Sequence, residues 1–231
     1  MWRRGRRVLL ALLIGIAVTV LAGANNASAN ARHMLDGGGT GGDLTWITQF
    51  GMKFGVVAFA VAGALAMTSD YSSGMIRTSL TAVPSRGRLL AAKATAFTAI
   101  ALAAGLAASA ASLAVGSSIL SGAGAHMNLK DPGVLGAVAG GGLFLTTSGL
   151  LALALSALLR NPVATVGSVF ALYVLLIILG PDLGERVCPF EAGSAITRAA
   201  TETAFSGYLT LLAWTLAIAV AAYAGLNRRD A

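Results

Sequence analysis

The sequence predicts an all-α, polytopic membrane protein with six transmembrane helices. Hydrophobic residues make up 56% of its 231 residues and charged residues only 11%, whereas a soluble domain carries about 25% charged residues. The apolar residues are gathered into six long segments, and an α-helix needs roughly 20 such residues to cross a bilayer. The polar stretches between them are too short for a separate soluble domain, so residues 1–231 form a single transmembrane domain.

The six predicted spans cover residues 8–24, 47–68, 94–120, 133–159, 163–179 and 204–226. A basic tip with four arginines precedes the first span, and a small-residue loop, residues 25–45, follows it. The tip, the apolar core and Ala27-Ser28-Ala29 also fit a cleavable signal peptide. Retention and cleavage of residues 1–29 therefore both stay open.

Charge predicts how the spans are oriented. Six spans place both termini on one side, and most of the chain's 16 Lys and Arg residues then fall on that side. They lie in the N-terminal tip, in the loop after the second span, at Arg160 and at the C-terminal end. Since basic residues are enriched in cytoplasmic segments, we expect both termini to be cytoplasmic. The net charge of +7 comes from basic residues at the ends of the predicted helices, a distribution that does not indicate nucleic-acid binding.

The predicted spans carry almost no ionisable side chains. None has an Asp, Glu or His near its middle, where ion-coupled carriers hold such groups, and the chain contains no Walker A or His-Glu-x-x-His sequence. Cys188, His33 and His126 fall in predicted loops without the spacing of metal ligands. We therefore expect no catalytic residue, no metal site and no cofactor site.

Four polar residues in or near spans are the candidates for a substrate path: Lys53, Thr146, Thr147 and Ser148. Lys53 lies near the start of the second span, where a lysine also reaches the membrane interface without any role in transport. The three hydroxyl side chains have the alternative of bonding to a carbonyl of their own helix. Gly136 and Gly140 form a GxxxG spacing in the same span, which is typical of helix packing in membranes.

The longest polar interruption is the basic segment Asp70–Lys93. Serines suited to an N-cap precede a short run with three apolar residues at helical spacing on one face: Ile76, Leu80 and Val83. Pro84 then ends the helix. The pattern predicts a short amphipathic helix, which either lies at the membrane surface or docks on a cytoplasmic partner.

Part of this segment is similar to a known family. Tyr71–Ala94, YSSGMIRTSLTAVPSRGRLLAAKA, resembles the loop between the second and third transmembrane helices of ABC-2 type permeases. Gln49-Phe50-Gly51 and Leu226–Ala231 also resemble that family's pattern, so the likeness covers most of the chain from Thr48 onward. Such permeases are the membrane subunits of bacterial ABC exporters.

The resemblance implies a permease in a bacterial plasma membrane that uses ATP bound and hydrolysed by a separate subunit. The short amphipathic helix would be its cytoplasmic coupling helix, and four of its residues would dock on the ATP-binding subunit: Ile76, Arg77, Leu80 and Val83. The permease would form a homodimer, or a heterodimer with a sister permease. Uncharged spans suit a lipophilic compound or a lipid as substrate.

Two other functions stay open on the sequence alone. The same bundle would serve a membrane anchor or regulator that transports nothing, and an ion-coupled secondary carrier is the weaker alternative. A reading frame with a Walker A sequence beside this gene would favour the exporter.

The predicted topology places residues 40 and 86 on opposite sides of the membrane. In a Cys188→Ser background, we expect the single cysteines of Thr40→Cys and Arg86→Cys to differ in their labelling by a membrane-impermeant maleimide. In intact cells the first should react and the second should react only after permeabilisation. Reaction of both from outside would exclude the six-span topology.

Overall fold

The computed structural model describes residues 2–39, 43–71, 86–128, 130–131, 133–159, 161, 163–171 and 202–228. These residues form the helices α1 (Trp2–Leu35), α2 (Leu44–Gln49), α3 (Met52–Tyr71), α4 (Arg86–Ser121), α5 (Val134–Leu159), α6 (residues 163–171) and α7 (Glu202–Arg228). No strand occurs among them, which confirms the all-α prediction for this part of the chain.

Within the described residues, five segments are long and apolar enough to cross a membrane: Gly5–Leu35, Leu44–Thr68, Ala91–Ser121, Val134–Leu159 and Gly207–Ala224. They match five of the six predicted spans, and together they indicate a helical membrane protein. The predicted fifth span, residues 163–179, begins with α6. Its later residues lie outside the described part of the chain, as does the predicted coupling helix at residues 76–83.

The predicted end of the first span at residue 24 is wrong, because α1 continues through the first part of the expected loop to Leu35. The added segment is rich in Ala, the strongest helix former, and two of its polar side chains bond within the helix. Ser28 Oγ donates to Ala24 O, and Asn30 Nδ2 donates to Asn26 O. The prediction ended the helix where hydropathy fell, so it missed an extension that is polar but helical. His33, expected in a loop, lies in the last turn of α1.

Consecutive long helices run in opposite directions. In each pair, residue numbers rise along one helix and fall along the other. Between α1 and the α2–α3 span, Gly15 meets Phe59 and Gly23 meets Thr48. Between α4 and α5, Phe97 meets Gly149 and Gly105 meets Gly142. This alternation is what successive membrane crossings joined by short connections require. It makes α3 and α5 parallel, and the two pack closely against each other.

The centre of the bundle is α5, which packs against α3, α4 and α7. In its most apolar stretch 72% of the residues are buried, compared with 22% in α7. A helix that is apolar all round is either a buried helix or a membrane span, and α5 is both buried and long enough to cross a membrane. Gly140 is buried in this helix, whereas Gly136 is exposed, so the GxxxG pair does not act as one packing surface inside the chain.

The backbones of α3 and α5 approach most closely at Gly63. A Cβ atom there would overlap Gly149 O and lie 3.2 Å from Leu153 N. Since lipid gives no hydrophobic force between helices, close backbone approach at small residues is a main source of their association. Gly63 therefore sets the spacing of the two helices.

We expect Gly63→Ala to lower the free energy of unfolding in detergent by about 1–3 kcal/mol, because one helix must shift to admit the methyl group. Gly136→Ala is the matched control, since nothing lies within 4 Å of a Cβ at that position. Thermal or denaturant unfolding of both variants measures the difference. Equal stability of the two variants would contradict this packing.

Candidate functional site

The span formed by α2 and α3 is interrupted at Phe50 and Gly51. Lys53 N donates to Phe50 O (3.2 Å), three residues back instead of the four of an α-helix. In an uninterrupted helix, the carbonyls of Ile47 and Thr48 would accept from the backbone N–H groups four residues ahead. At this break they accept from side chains instead.

Two neighbouring helices supply those side chains. Asn26 Nδ2, on α1, donates to Ile47 O (3.0 Å), and Ser112 Oγ, on α4, donates to Thr48 O (2.6 Å). A carbonyl without a donor costs several kcal/mol in surroundings without water. The break is therefore held between α1 and α4 by one hydrogen bond from each.

Backbone contacts around the break leave no room for side chains. A Cβ at Gly51 would overlap Thr19 O, and one at Gly23 would lie 2.7 Å from Thr48 O and overlap Ser112 Oγ. Glycine permits this approach because it has no Cβ. The three helices consequently meet within van der Waals distance at one level of the bundle.

Gln49, the last residue of α2, is fully buried at this level. Its Nε2 donates to Ser109 Oγ (2.9 Å) and approaches Ser109 O (3.4 Å) on α4. Its Oε1 is the one buried side-chain oxygen or nitrogen in the described part of the chain that has no hydrogen-bond partner. Since the large majority of buried polar atoms are paired, this atom marks the break as a functional candidate.

The other face of the break carries aromatic rings and Lys53. Trp46, Phe50 and Phe54 stack edge to face, with ring centroids 6.1 and 5.9 Å apart. Lys53 Nζ lies 4.9 Å from the Trp46 ring centroid, within the range of a cation–π contact. The structure therefore places the first of the four substrate-path candidates beside Trp46, a residue type that is enriched at membrane interfaces.

The other three candidates are buried in α5. Thr146 Oγ1 donates to Gly142 O and Ser148 Oγ donates to Phe144 O, each at 2.7 Å within the helix. Thr147 Oγ1 shares a hydrogen bond with Tyr208 Oη of α7 at 2.8 Å. The third hydroxyl thus ties α7 to the central helix.

An apolar groove of about 510 Å³ separates α3 from α6. Val57 and Leu65 mark its extent along α3, and Val163 and Phe170 mark its extent along α6; all of its lining residues are apolar. Val163 and Phe170 are 78% and 61% exposed, so the groove opens to the surroundings of the bundle.

The proposed docking residues Ile76, Arg77, Leu80 and Val83 lie outside the described residues. The structure does describe helical backbone on both sides of their segment. Lys93 Nζ, on α4, donates to Ala66 O of α3 at 3.4 Å. This bond holds the two helices together close to the connection between them.

Sequence reasoning did not single out five side chains that bond across helices: Asn26, Ser109, Ser112, Ser156 and Tyr208. A signal for two of them was present, because α4 carries small residues at helical spacing on one face: Gly105, Ser109, Ser112 and Gly116. Such a stripe predicts a helix-packing face, which is correct. It does not show that its serine hydroxyls form hydrogen bonds with the interrupted α2–α3 span. Asn26 was assigned to a loop, where an amide needs no partner within the fold.

Known proteins provide no template for this site, since no family model, curated protein or solved structure matches the chain.

The bond between Thr147 and Tyr208 gives a test of how α7 is held. In a double-mutant cycle of Thr147→Val and Tyr208→Phe, we expect a coupling energy of about 0.6 kcal/mol, the usual size of a hydrogen bond between membrane helices. Unfolding in detergent provides the four free energies. Ser148→Ala, whose hydroxyl bonds within α5, should show no coupling to Tyr208→Phe, and coupling of the same size there would refute a direct bond.

Proposed function

We propose that this chain is the membrane-spanning permease subunit of an ABC-2 type exporter in a bacterial plasma membrane, with both termini cytoplasmic. The observation that carries the proposal is the segment Tyr71–Ala94, which resembles the coupling loop of that family. It connects α3 to α4, two helices joined near that connection by Lys93 and Ala66. A force applied to the segment would therefore reach both helices at once.

The composition of the spans supports an external source of energy. The five candidate spans contain no Asp or Glu, which are the groups that most often carry protons or ions through a bilayer. A transporter without them needs another source of energy, and an ATP-binding subunit supplies one. ATP would be bound by that partner and not by this chain.

The packing of the bundle offers a route for the motion. When ATP closes the partner subunits, the predicted helix at residues 76–83 moves with them and shifts the adjoining ends of α3 and α4. Because α3 lies against the central helix at Gly63, it moves as a rigid element rather than bending there. The displacement then arrives at the break at Phe50 and Gly51.

The complete exporter would contain two permeases, identical or sister chains, and two ATP-binding subunits. The groove between α3 and α6 is apolar throughout and open at its side. These properties suit a lipophilic compound or a lipid that enters from the bilayer.

A membrane anchor or regulator that transports nothing is the second candidate. One observation favours it: the hydroxyls of Thr146, Thr147 and Ser148 are buried and bonded, so they line no open path in this structure. Stimulation of ATP turnover by substrate would distinguish the exporter from this alternative.

The coupling role of the loop is tested with Leu80→Asp. If Leu80 fills a groove on the ATP-binding subunit, the buried charge should weaken association by about 2 kcal/mol or more, roughly 30-fold. Insertion in the membrane should be normal, since no span is changed. The measurement is co-purification and ATP turnover with the ATPase that the wild-type protein captures from its own cells.

Thr78→Asp is the matched control, because it adds the same charge on the opposite face of the predicted helix. We expect it to retain most of the association and turnover. Full coupling in Leu80→Asp, or equal loss in both variants, would remove the docking face from the proposal. Absence of any ATPase that binds the wild-type chain would remove the exporter itself.

A further inference from the structure

We infer that the break at Phe50 and Gly51 is a two-state hinge. In one state, the state of the structure, α2 is docked between α1 and α4. In the other, α2 continues α3 as a single straight helix. The inference rests on hydrogen bonds and burial around the break, and it does not require that the chain be a transporter.

The two carbonyls at the break have a hydrogen-bond donor in both states. Docked, Ile47 O accepts from Asn26 Nδ2 and Thr48 O accepts from Ser112 Oγ. Straight, the same two carbonyls accept from the backbone N–H groups of Gly51 and Met52, as in any α-helix. Neither carbonyl is left without a donor in either state, so neither state carries the large penalty of a bare carbonyl in apolar surroundings.

Two opposing contributions, apolar packing and an unpaired buried oxygen, keep the two states close in free energy. The docked state gains a small apolar cluster at the end of the bundle, in which Ile47 packs with Ala27, Ala31 and Leu120. The same state leaves Gln49 Oε1 buried without a donor, which is unfavourable. Gln49 is the last residue of α2 and moves with it. Straightening therefore removes Gln49 Oε1 from its buried position, and it also separates Ile47 from the apolar cluster.

The hinge has a chemical consequence for the bundle. Gln49 and Ser112 are fully buried while α2 is docked, as is Ser109 between them. Movement of α2 away from α4 uncovers these three polar side chains together. The buried contact between α2 and α4 then becomes an exposed polar surface.

Fluorine NMR of Trp46 tests the hinge. Trp46 lies on α2, the helix that moves away from α4 in the straight state, so the surroundings of its ring change when the helix straightens. The full-length chain is labelled with 5-fluorotryptophan and placed in lipid nanodiscs. The Trp46 resonance is assigned by its loss in Trp46→Phe, since the chain has only three tryptophans.

We expect two Trp46 resonances, or one broadened by exchange, and a ratio that the side-chain donors control. Asn26→Ala and Ser112→Ala should each raise the ratio of straight to docked protein about five-fold, the effect of losing one net hydrogen bond. Because both act on one equilibrium, the double variant should raise it about 25-fold. Asn30→Ala and Ser118→Ala are matched controls, since these side chains bond within their own helices, and they should leave the ratio unchanged.

A proline provides the opposite test. Met52→Pro removes an N–H that the straight helix needs, and proline is favourable at the first position of a helix, which Met52 occupies in the docked state. Added to the double variant, it should return Trp46 to the docked resonance, whereas Met52→Leu should not. A double variant with the same Trp46 spectrum as the wild type would overturn the hinge, as would equal changes in the two control variants.

Discussion

A backbone carbonyl in apolar surroundings needs a hydrogen-bond donor, and this requirement governs where polar side chains lie in the bundle. An unbroken helix meets it internally, so α5 can be apolar almost throughout. Where the second span breaks, the donors come from Asn26 and Ser112 on two other helices. A local irregularity of one helix thus fixes the positions of its neighbours.

The long helices also depend on glycine and on bonded hydroxyls for their spacing. Gly63 brings α3 against α5, and Gly51 brings the second span against α1. Next to Gly63, Ser156 Oγ donates to Ala64 O at 3.2 Å, so the parallel pair α3 and α5 is also joined by a polar contact. The bundle is tight at its centre, and its groove lies at the periphery beside α6.

Hydropathy and charge were enough to predict five spans, four of them to within one helical turn at each end. They failed at residues 25–35, because a polar helix outside the apolar stretch has no hydropathy signal. The candidate site was predicted less well. Lys53 and the three α5 hydroxyls were identified by residue type, but their partners, Trp46 and Tyr208, depend on which helices are neighbours. That information is not contained in the periodicity of any one helix, and the docking face at residues 76–83 remains a sequence prediction.

The bond from Ser112 to Thr48 has a consequence for the order in which the protein is made. Chains fold from the N-terminus during synthesis, so the second span leaves the ribosome before the helix that carries Ser112 exists. Asn26 is already present at that time, but Thr48 O then has only a backbone donor available. The newly inserted second span should therefore be straight, and the arrival of α4 in the bilayer should introduce its break.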